Sequence, residues 1–398
     1  MRFTCHGHPN VTGTHDKTLE LTRDLDIGVR ATCIVGVGAN YDEGALLKLR
    51  GEIEVVLEGN GASESFTATV SPFFLGGDSL VFRRGPGLRT RTFAYDASKT
   101  AADLDRRLMH ADSVLVSMRA TGVRAVGALF VVSLPIGNDD DLSPRAARVL
   151  ERADVVLAED TRRVHALAQR LGTRTAPTLS YHDRNEDERV AEVVERIAAG
   201  ERIALVSDAG TPLLSDPGYV VVRETVARDL PVSPVPGPSA ALAVAAVSGL
   251  PVHEILFAGF LPRTTSKRQS ELQRLFSSGA TVVLYEAPNR VAALLGDIDA
   301  VAPATRVCIG REVTKDFEEF AYGTPHELAA RFAADARGEF TIVLSPPAPD
   351  APDTTAEDEL LRALLADGVP PKTLARALAR TPGVSRNAAY ERVLGLQE

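Results

Sequence analysis

The sequence predicts two α/β lobes of largely parallel sheet, preceded by a β-rich domain and followed by a small helical module. Three observations carry this. Up to about Thr121, β-type runs are separated by glycine-rich breaks such as Gly59-Asn60-Gly61 and Gly85-Pro86-Gly87. From Gly127 onward, short apolar runs alternate with helical patterns, the signature of parallel strands covered by helices. Ser345 to Asp358 is proline-rich and aperiodic, which marks a linker before three short helices. A length of 398 residues exceeds one ordinary domain. The expected boundaries are 1–124, 125–250, 251–347 and 348–398.

In the first segment, strands are expected at Ala31–Val37, Ile53–Leu57, Phe66–Val70, Leu80–Arg83 and Val114–Met118, with one helix over Thr100–His110 and a barrel-like closure. In the second, Leu129–Leu134 and Val155–Ala158 read as buried strands, followed by helices Ser143–Ala153 and Thr161–Leu171. After Leu179–Tyr181 a helix opens at Asn185, with Glu188 placed to complete a capping box. Ile203–Ser207 is the next strand, and Asp216-Pro217 reads as N-cap and first-turn proline of the following helix. Val232–Val235 and a helix over Pro238–Val247 complete the lobe. Strands near Ile255–Phe260, Thr281–Tyr285, Val307–Glu312 and Thr341–Leu344 form the second lobe. The terminal helices are expected at Glu357–Ala366, Pro371–Arg380 and Arg386–Leu394.

Composition narrows the function. No apolar run reaches the roughly 18–20 residues that span a bilayer, and no secretory h-region follows Met1, so a cytoplasmic protein is expected. Three cysteines form neither a disulfide framework nor a zinc pattern. A net charge of −9 argues against coating nucleic acid wholesale, while leaving room for a local basic patch. Neither a G-x-G-x-x-G after the first strand nor a P-loop is present, which disfavours dinucleotide and NTP sites.

Ligands in open α/β sheets collect at the carboxyl ends of strands. Four glycine-, proline- and acid-rich turns fall there: Pro135-Ile136-Gly137-Asn138, Ala158–Arg162, Ser207–Gly218 and Val235–Ala240. Any one of them is explained as a turn former or helix cap. Four in succession within one alternating unit point to a shared ligand.

The same segments carry a resemblance. P-I-G-N (135–138), A-E-D-T-R (158–162), S-Y-H-D-R-N-E-D-E-R (180–189), S-D-A-G-T-P-L-L-S-D-P-G (207–218), P-G-P-S-A (236–240), G-F-L-P-R (259–263), Y-E-A-P-N-R (285–290), R-E-V-T-K-D-F-E-E-F (311–320) and G-E-F-T-I-V-L (338–344) occur in order. They resemble the tetrapyrrole-methylase superfamily, in its branch of ribosomal RNA small subunit methyltransferases. The resemblance implies a two-lobed fold with S-adenosylmethionine between the lobes, a homodimer, and 2′-O-methylation of a cytidine ribose in the decoding region of 16S-type rRNA, free or within the 30S subunit. It implies donor-binding positions at Pro135, Thr211, Leu214, Ser239, Ala240, Tyr285 and Phe340. Asp139-Asp140-Asp141 departs from the branch's usual L-G-D-I-T, Ala287 replaces serine, and Asn289 replaces histidine. The acidic run is unexpected beside an RNA cleft.

A ribose hydroxyl needs alignment and help in losing its proton. Glu159, Asp160, His182, Asp208 and Lys315 are candidates; strand-end position favours Glu159 and Asp208. Expected RNA contacts are Arg162, Lys267, Arg268, Arg290 and Lys315, with Lys372, Arg376 and Arg380 at i, i+4, i+8 on one helix face. Such cations equally serve as solvated surface charge. Val384–Tyr390 resembles the branch's helix-turn-helix-like tail, expected to grip RNA backbone. Methylation of a tetrapyrrole or a modified protein residue, or an inactive ribosome-binding fusion, are the competing readings. Residues 3–120 resemble a domain of unknown function found mainly in archaea. Its Cys5, His6, His8 and His15 are read as turn caps in preference to metal ligands, and no metal is expected.

Overall fold

The computed structural model describes residues 1–28, 31–87, 91–124, 126–333, 337–346, 355–381 and 384–396. Much of the linker expected over 345–358 lies outside the described residues. The chain divides into two compact units: Met1–Val247 with Gly310–Phe320 and Gly338–Thr341, and Ser248–Ile309 with Ala321–Arg337 and Ile342–Glu398.

The first unit opens with an eight-stranded sheet in the spatial order Arg2–Cys5, Val114–Ala120, Glu52–Gly59, Ala62–Val70, Ala94–Tyr95, Ser79–Arg83, Thr18–Thr22, Ile34–Gly36. Its two edges meet through His6 and Val37, which exchange both backbone hydrogen bonds at 2.8 Å, so the sheet closes into a barrel. Alternation fills it: Ile53, Val55 and Leu57 point inward with Phe66, Ala68 and Val70, because successive strand side chains face opposite sides. The single helix expected over Thr100–His110 is two short turns, Ala101–Asp103 and Arg106–Met109. Asp103 accepts the Thr100 amide N–H and Asp105 accepts the amide N–H of Arg107, so a second cap interrupts the first turn. Strands Arg2–Cys5, Thr18–Thr22 and Ala94–Tyr95 and the Glu43–Leu47 helix were not anticipated. The histidine rings serve turns. His8 Nδ1 accepts the Asn10 N–H at 3.1 Å, and His15 Nδ1 accepts the N–H of Thr18 at 3.1 Å. His6 Nδ1 lies 2.6 Å from the Asp112 carbonyl and donates to it.

The barrel shares a core with the sheet that follows. Phe73 and Leu75 are buried with Phe130, Val149 and Val206 in one apolar cluster, Phe73 meeting Phe130 edge-on at 5.8 Å. Arg202, 1% exposed, donates from Nε to the Pro72 carbonyl at 3.0 Å and from Nη1 to the Leu47 carbonyl at 3.3 Å. Its Nη2 lies 3.5 Å from the Ser71 carbonyl. Burial and the nearby Arg50 charge push its pKa down to about 9. Arg152 adds two 2.9 Å bonds to the Glu43 carboxylate.

The second sheet of this unit is parallel throughout, in the order Thr178–Ser180, Val155–Ala158, Arg202–Val206, Ala128–Val132, Val232–Val235. Helices Pro144–Arg152 and Thr161–Arg170 contribute to the cluster on one face; helices Glu186–Ala198 and Tyr219–Ala227 contribute to a second, separate cluster. All strands share one direction, so the candidate turns open along one edge. Two helix starts differ from expectation. The side chain of Asn185 makes no cap; its Oδ1 accepts the His182 N–H at 2.9 Å and its amide donates to the Ser180 carbonyl. The helix after Ser207–Gly218 begins at Tyr219 behind Gly218 (φ 123°), which frees Asp216 and Pro217 from the capping role expected of them.

A five-stranded sheet, carried mainly by the second unit, runs in the order Ile255–Phe260, Thr281–Glu286, Phe340–Leu344, Val307–Arg311, Glu319–Gly323. Ile255–Phe260 and Thr281–Glu286 are parallel, with a bulge between Phe257 and Gly259. Helices Thr355–Ala366, Pro371–Leu378 and Arg386–Gly395 bury Leu361, Leu374, Leu378, Ala389 and Val393 among themselves. Among the described residues no helix is long and apolar enough to cross a membrane.

Candidate functional site

The Ser207–Gly218 loop is held at its root by backbone pairing. Leu134 donates to the Gly210 carbonyl at 2.8 Å and Gly210 returns the bond at 3.1 Å, tying the loop to the turn that begins at Pro135. Thr211 Oγ1 donates to the Pro238 carbonyl at 3.1 Å. Its one proton is thereby spent, so the 2.8 Å contact with Ser133 Oγ is donated by Ser133. These bonds converge three of the four candidate turns. Ala158–Arg162 joins them through Asp208, whose Oδ1 accepts the Asp160 N–H at 3.1 Å.

Backbone strain concentrates here. Leu213 and Ser215 hold φ of 73° and 72°, a region L-residues avoid, between Gly210 (72°) and Gly218 (123°). Glu312 (48°) and Thr314 (68°) do the same in the R-E-V-T-K segment. Such conformations cost of order 1–3 kcal/mol each and persist where the surroundings over-determine them, as at ligand clamps. Two glycines permit close approach. A Cβ on Gly237 would stand 2.9 Å from the Ser133 Cβ, and one on Gly137 would stand 2.3 Å from the Lys315 Cγ. Ser239 Oγ, beside the start of the Ala240–Val247 helix, is buried without a hydrogen-bond partner. An orphaned hydroxyl at a helix start, next to strained loops, fits a small polar ligand that brings its own donors and acceptors.

The charges form a distinct arrangement. Arg163 Nε lies 3.2 Å from Asp208 Oδ2, whereas Arg162 turns outward to pair with Asp160 at 2.7 Å. Partial desolvation, then the Asp208 and Asp183 charges, raise the Glu159 pKa. Burial and the Glu159 charge push Asp216 up to about 6, against a hydrogen bond from Ser207 that lowers it. A carboxyl whose folded pKa is raised adds stability below its unfolded pKa, and this is lost as pH rises through about 6. Asp216→Asn is therefore expected to stabilise the protein at pH 7–8 by about 1 kcal/mol, allowing for solvent screening, and to flatten the pH dependence of urea unfolding between pH 4 and 6. An unchanged profile would contradict the assignment.

The acidic run takes on a defined role. Asp139 is bidentate to Arg170 at 2.6 and 2.9 Å, so its charge is locally compensated. Arg170 escaped the sequence reading; its i, i+7 spacing from Arg163 on one face of the Thr161–Arg170 helix was the available signal. Lys315 Nζ meets Glu312 at 2.9 Å and Glu339 at 3.0 Å.

The remaining expected residues separate. Pro135, Thr211, Leu214, Ser239, Ala240 and Phe340 belong to the first unit, and Phe340 is buried with the Arg311 guanidinium over its ring. Tyr285 lies in the second unit, edge-on to Phe257 and Phe260. Arg268 corrects the RNA list: it is 3% exposed and paired with the buried Asp297, so it holds the fold together. Arg290 is largely occupied too, by Glu286 at 3.2 Å and the Leu261 carbonyl at 2.7 Å. Lys267, Lys372, Arg376 and Arg380 are exposed. Arg380 lies beyond the Pro371–Leu378 helix, so the three-cation stripe extends past its end. Arg392, in the last helix, is consumed by Glu357 and Asp358.

Residues 128–329 match the family of Tetrapyrrole (Corrin/Porphyrin) Methylases, and residues 3–114 match a domain of unknown function, DUF371. The chain is 39% identical over 284 residues to "Ribosomal RNA small subunit methyltransferase I" of Micromonospora olivasterospora, covering 69% of this chain and 90% of that one. Proteins of the same description from Xylella fastidiosa (strain Temecula1) and Mesorhizobium japonicum are each 40% identical, over 268 and 274 residues, covering 66% and 68% of this chain and 98% and 92% of theirs. With the joined strand-end turns and the α/β fold, these matches place the chain in the tetrapyrrole methylase family, in its ribosomal RNA small subunit methyltransferase I branch, with a DUF371 barrel at its N-terminus.

Proposed function

We propose that the protein methylates the 2′-oxygen of a cytidine ribose in small-subunit rRNA, with S-adenosylmethionine as donor. The observation that carries this is the cradle of three turns locked by Ser133, Gly210, Thr211 and Pro238, with the orphaned Ser239 hydroxyl beside it. Pro135, Thr211, Leu214, Ser239 and Ala240 would hold the donor, with Tyr285 and Phe340 as the aromatic positions the family resemblance implies. When bound, S-adenosylmethionine supplies an electrophilic methyl group on a sulfonium. Glu159 or Asp208, carboxylates at the strand ends, would accept the single 2′-hydroxyl proton as the oxygen–methyl bond forms and the methyl–sulfur bond breaks, leaving S-adenosylhomocysteine. The raised pKa of Glu159 brings it nearer the range in which a general base works at neutral pH. Incubating the protein with labelled donor and 30S subunits from a strain lacking the corresponding gene, then mapping ribose methylation, tests the reading. Label on a cytidine 2′-oxygen is the expected outcome; label in a tetrapyrrole or a protein, or no label, overturns it.

The terminal helices are read as the RNA grip. Lys372, Arg376 and Arg380 are exposed and have no ion pair among the described residues. Replacing all three with glutamine is expected to weaken rRNA binding and to make its salt dependence shallower by about 2 in log–log slope, at roughly 0.7 per single-stranded phosphate contact. Unchanged affinity and slope would remove the tail from the interface. A homodimer is read from the Ala240–Val247 helix, whose outward Leu242 is 63% exposed in a segment without any charged residue. Sedimentation at micromolar concentration gives the stoichiometry, and a monomer would contradict it.

A further inference from the structure

The first unit contains a cavity of about 310 Å³ whose lining shares only Pro135 with the proposed donor positions. Arg163, Ala166, Leu167 and Arg170 all line it, at i, i+3, i+4 and i+7 of the Thr161–Arg170 helix, so one helical face forms a wall. Lys315 and the Pro135–Gly137 turn also line it. Each cation in the wall is matched to one or more carboxylates: Arg163 to Asp208, Arg170 to Asp139, and Lys315 to Glu312 and Glu339.

The three cations are not equivalent. Lys315 is doubly paired and 28% exposed, a fixed post. The Arg163 and Arg170 side chains are 59% and 57% exposed, and exposed ion pairs are worth only about 0–1 kcal/mol. A phosphate, which guanidinium groups bind in bidentate fashion, can exchange for such carboxylates at little cost. Seven residues of helix separate the two arginines by about 10 Å along the axis, enough to address more than one point of a backbone. Ile136 and Leu167 supply apolar wall for a sugar or base. Asp208 belongs to both the cavity and the proposed proton-accepting pair, which puts the bound nucleotide next to the chemistry.

We propose that this cavity seats the target nucleotide of the RNA, with Arg163 and Arg170 gripping its flanking phosphates. The proposal rests on the rRNA-methylating reading and adds residues that reading does not include. Phosphate capture by Arg163 also releases the Asp208 carboxylate from its ion pair at the moment the ribose arrives.

The test uses the full chain carrying R163Q and R170Q together, with Arg228→Gln as a remote control. Binding of an unmethylated small-subunit rRNA fragment is titrated at several salt concentrations, and S-adenosylhomocysteine binding is measured by calorimetry. The double variant is expected to lose rRNA affinity about 10-fold, with a slope shallower by about 1.4, while the control matches wild type. Donor-analogue affinity stays within about twofold. The charge-preserving R163K/R170K pair restores most of the slope. Unchanged rRNA binding overturns the proposal. So does a parallel loss of S-adenosylhomocysteine binding, which would assign the cavity to the donor. Failure of the functional reading shows separately, as wild-type protein that transfers no methyl group to rRNA.

Discussion

Replacing Asp208 with alanine is expected to lower methyl transfer at saturating donor and rRNA by about 100-fold, the lower end of what a positioned proton acceptor contributes. In the free protein the side chain is held at both oxygens, by the Asp160 N–H and by Arg163, and the Asp160 bond remains to orient it when Arg163 takes a phosphate. The substitution has a second consequence. The Asp208 charge is one of the causes raising the pKa of Glu159, so its loss lets that pKa fall and moves the acid limb of the pH–rate profile to lower pH. Donor affinity should change little, because the Ser133–Thr211–Pro238 bonds do not pass through Asp208. Single-turnover rates across pH, with calorimetry of donor binding, check each part. Full turnover in the variant would remove Asp208 from the chemistry.

Arg202→Ala should produce the largest loss of stability, about 3 kcal/mol in urea unfolding. Its guanidinium donates to carbonyls of Pro72 and Leu47 from a position closed to water, and removing it leaves those carbonyls unpaired. An isolated buried charge would be unfavourable, and burial already lowers its pKa to about 9. The carbonyl bonds and the nearby Asp154 offset that cost, Asp154 also accepting the Arg202 backbone N–H at 2.7 Å. Arg202→Met keeps the stem's packing and should lose less than alanine, though the carbonyls remain unpaired. Because the same strand leads into Ser207, the alanine variant should also weaken donor binding modestly. Equal unfolding free energies for wild type and Arg202→Ala would mean that this contact does not hold the barrel to the sheet.

Several elements were legible because their causes are local. Val155–Ala158 coincides with the apolar run that predicted it, since a parallel strand buried on both faces must be continuously apolar. The terminal helices lie close to where the sequence placed them, and the last is capped by Ser385, which accepts the Ala388 N–H. Capping at Asn185 and Asp216 was misread for one reason. Both side chains had distant alternatives, the Ser180–His182 backbone for Asn185 and the Ser207 and Glu159 neighbourhood for Asp216, and sequence spacing cannot weigh those against a helix end. Arg268 was misassigned similarly, because its partner Asp297 is 29 residues away.

The Ser207–Gly218 loop marks the division between the two kinds of information. Sequence alone determined the alternating α/β order, where the strand-end turns lie and which residue types crowd them, and its motifs carried the resemblance to the methylases. These follow from hydrophobic period, turn chemistry and motif order, all short-range properties. Only the tertiary structure decided that Arg163, not Arg162, meets Asp208, that Arg170 compensates Asp139, and that a buried Arg202 bolts the barrel to the sheet. Each depends on which groups meet after the chain has folded back on itself. For Arg202, the one of the three that is closed to water, the low-dielectric interior then sets the strength of its bonds.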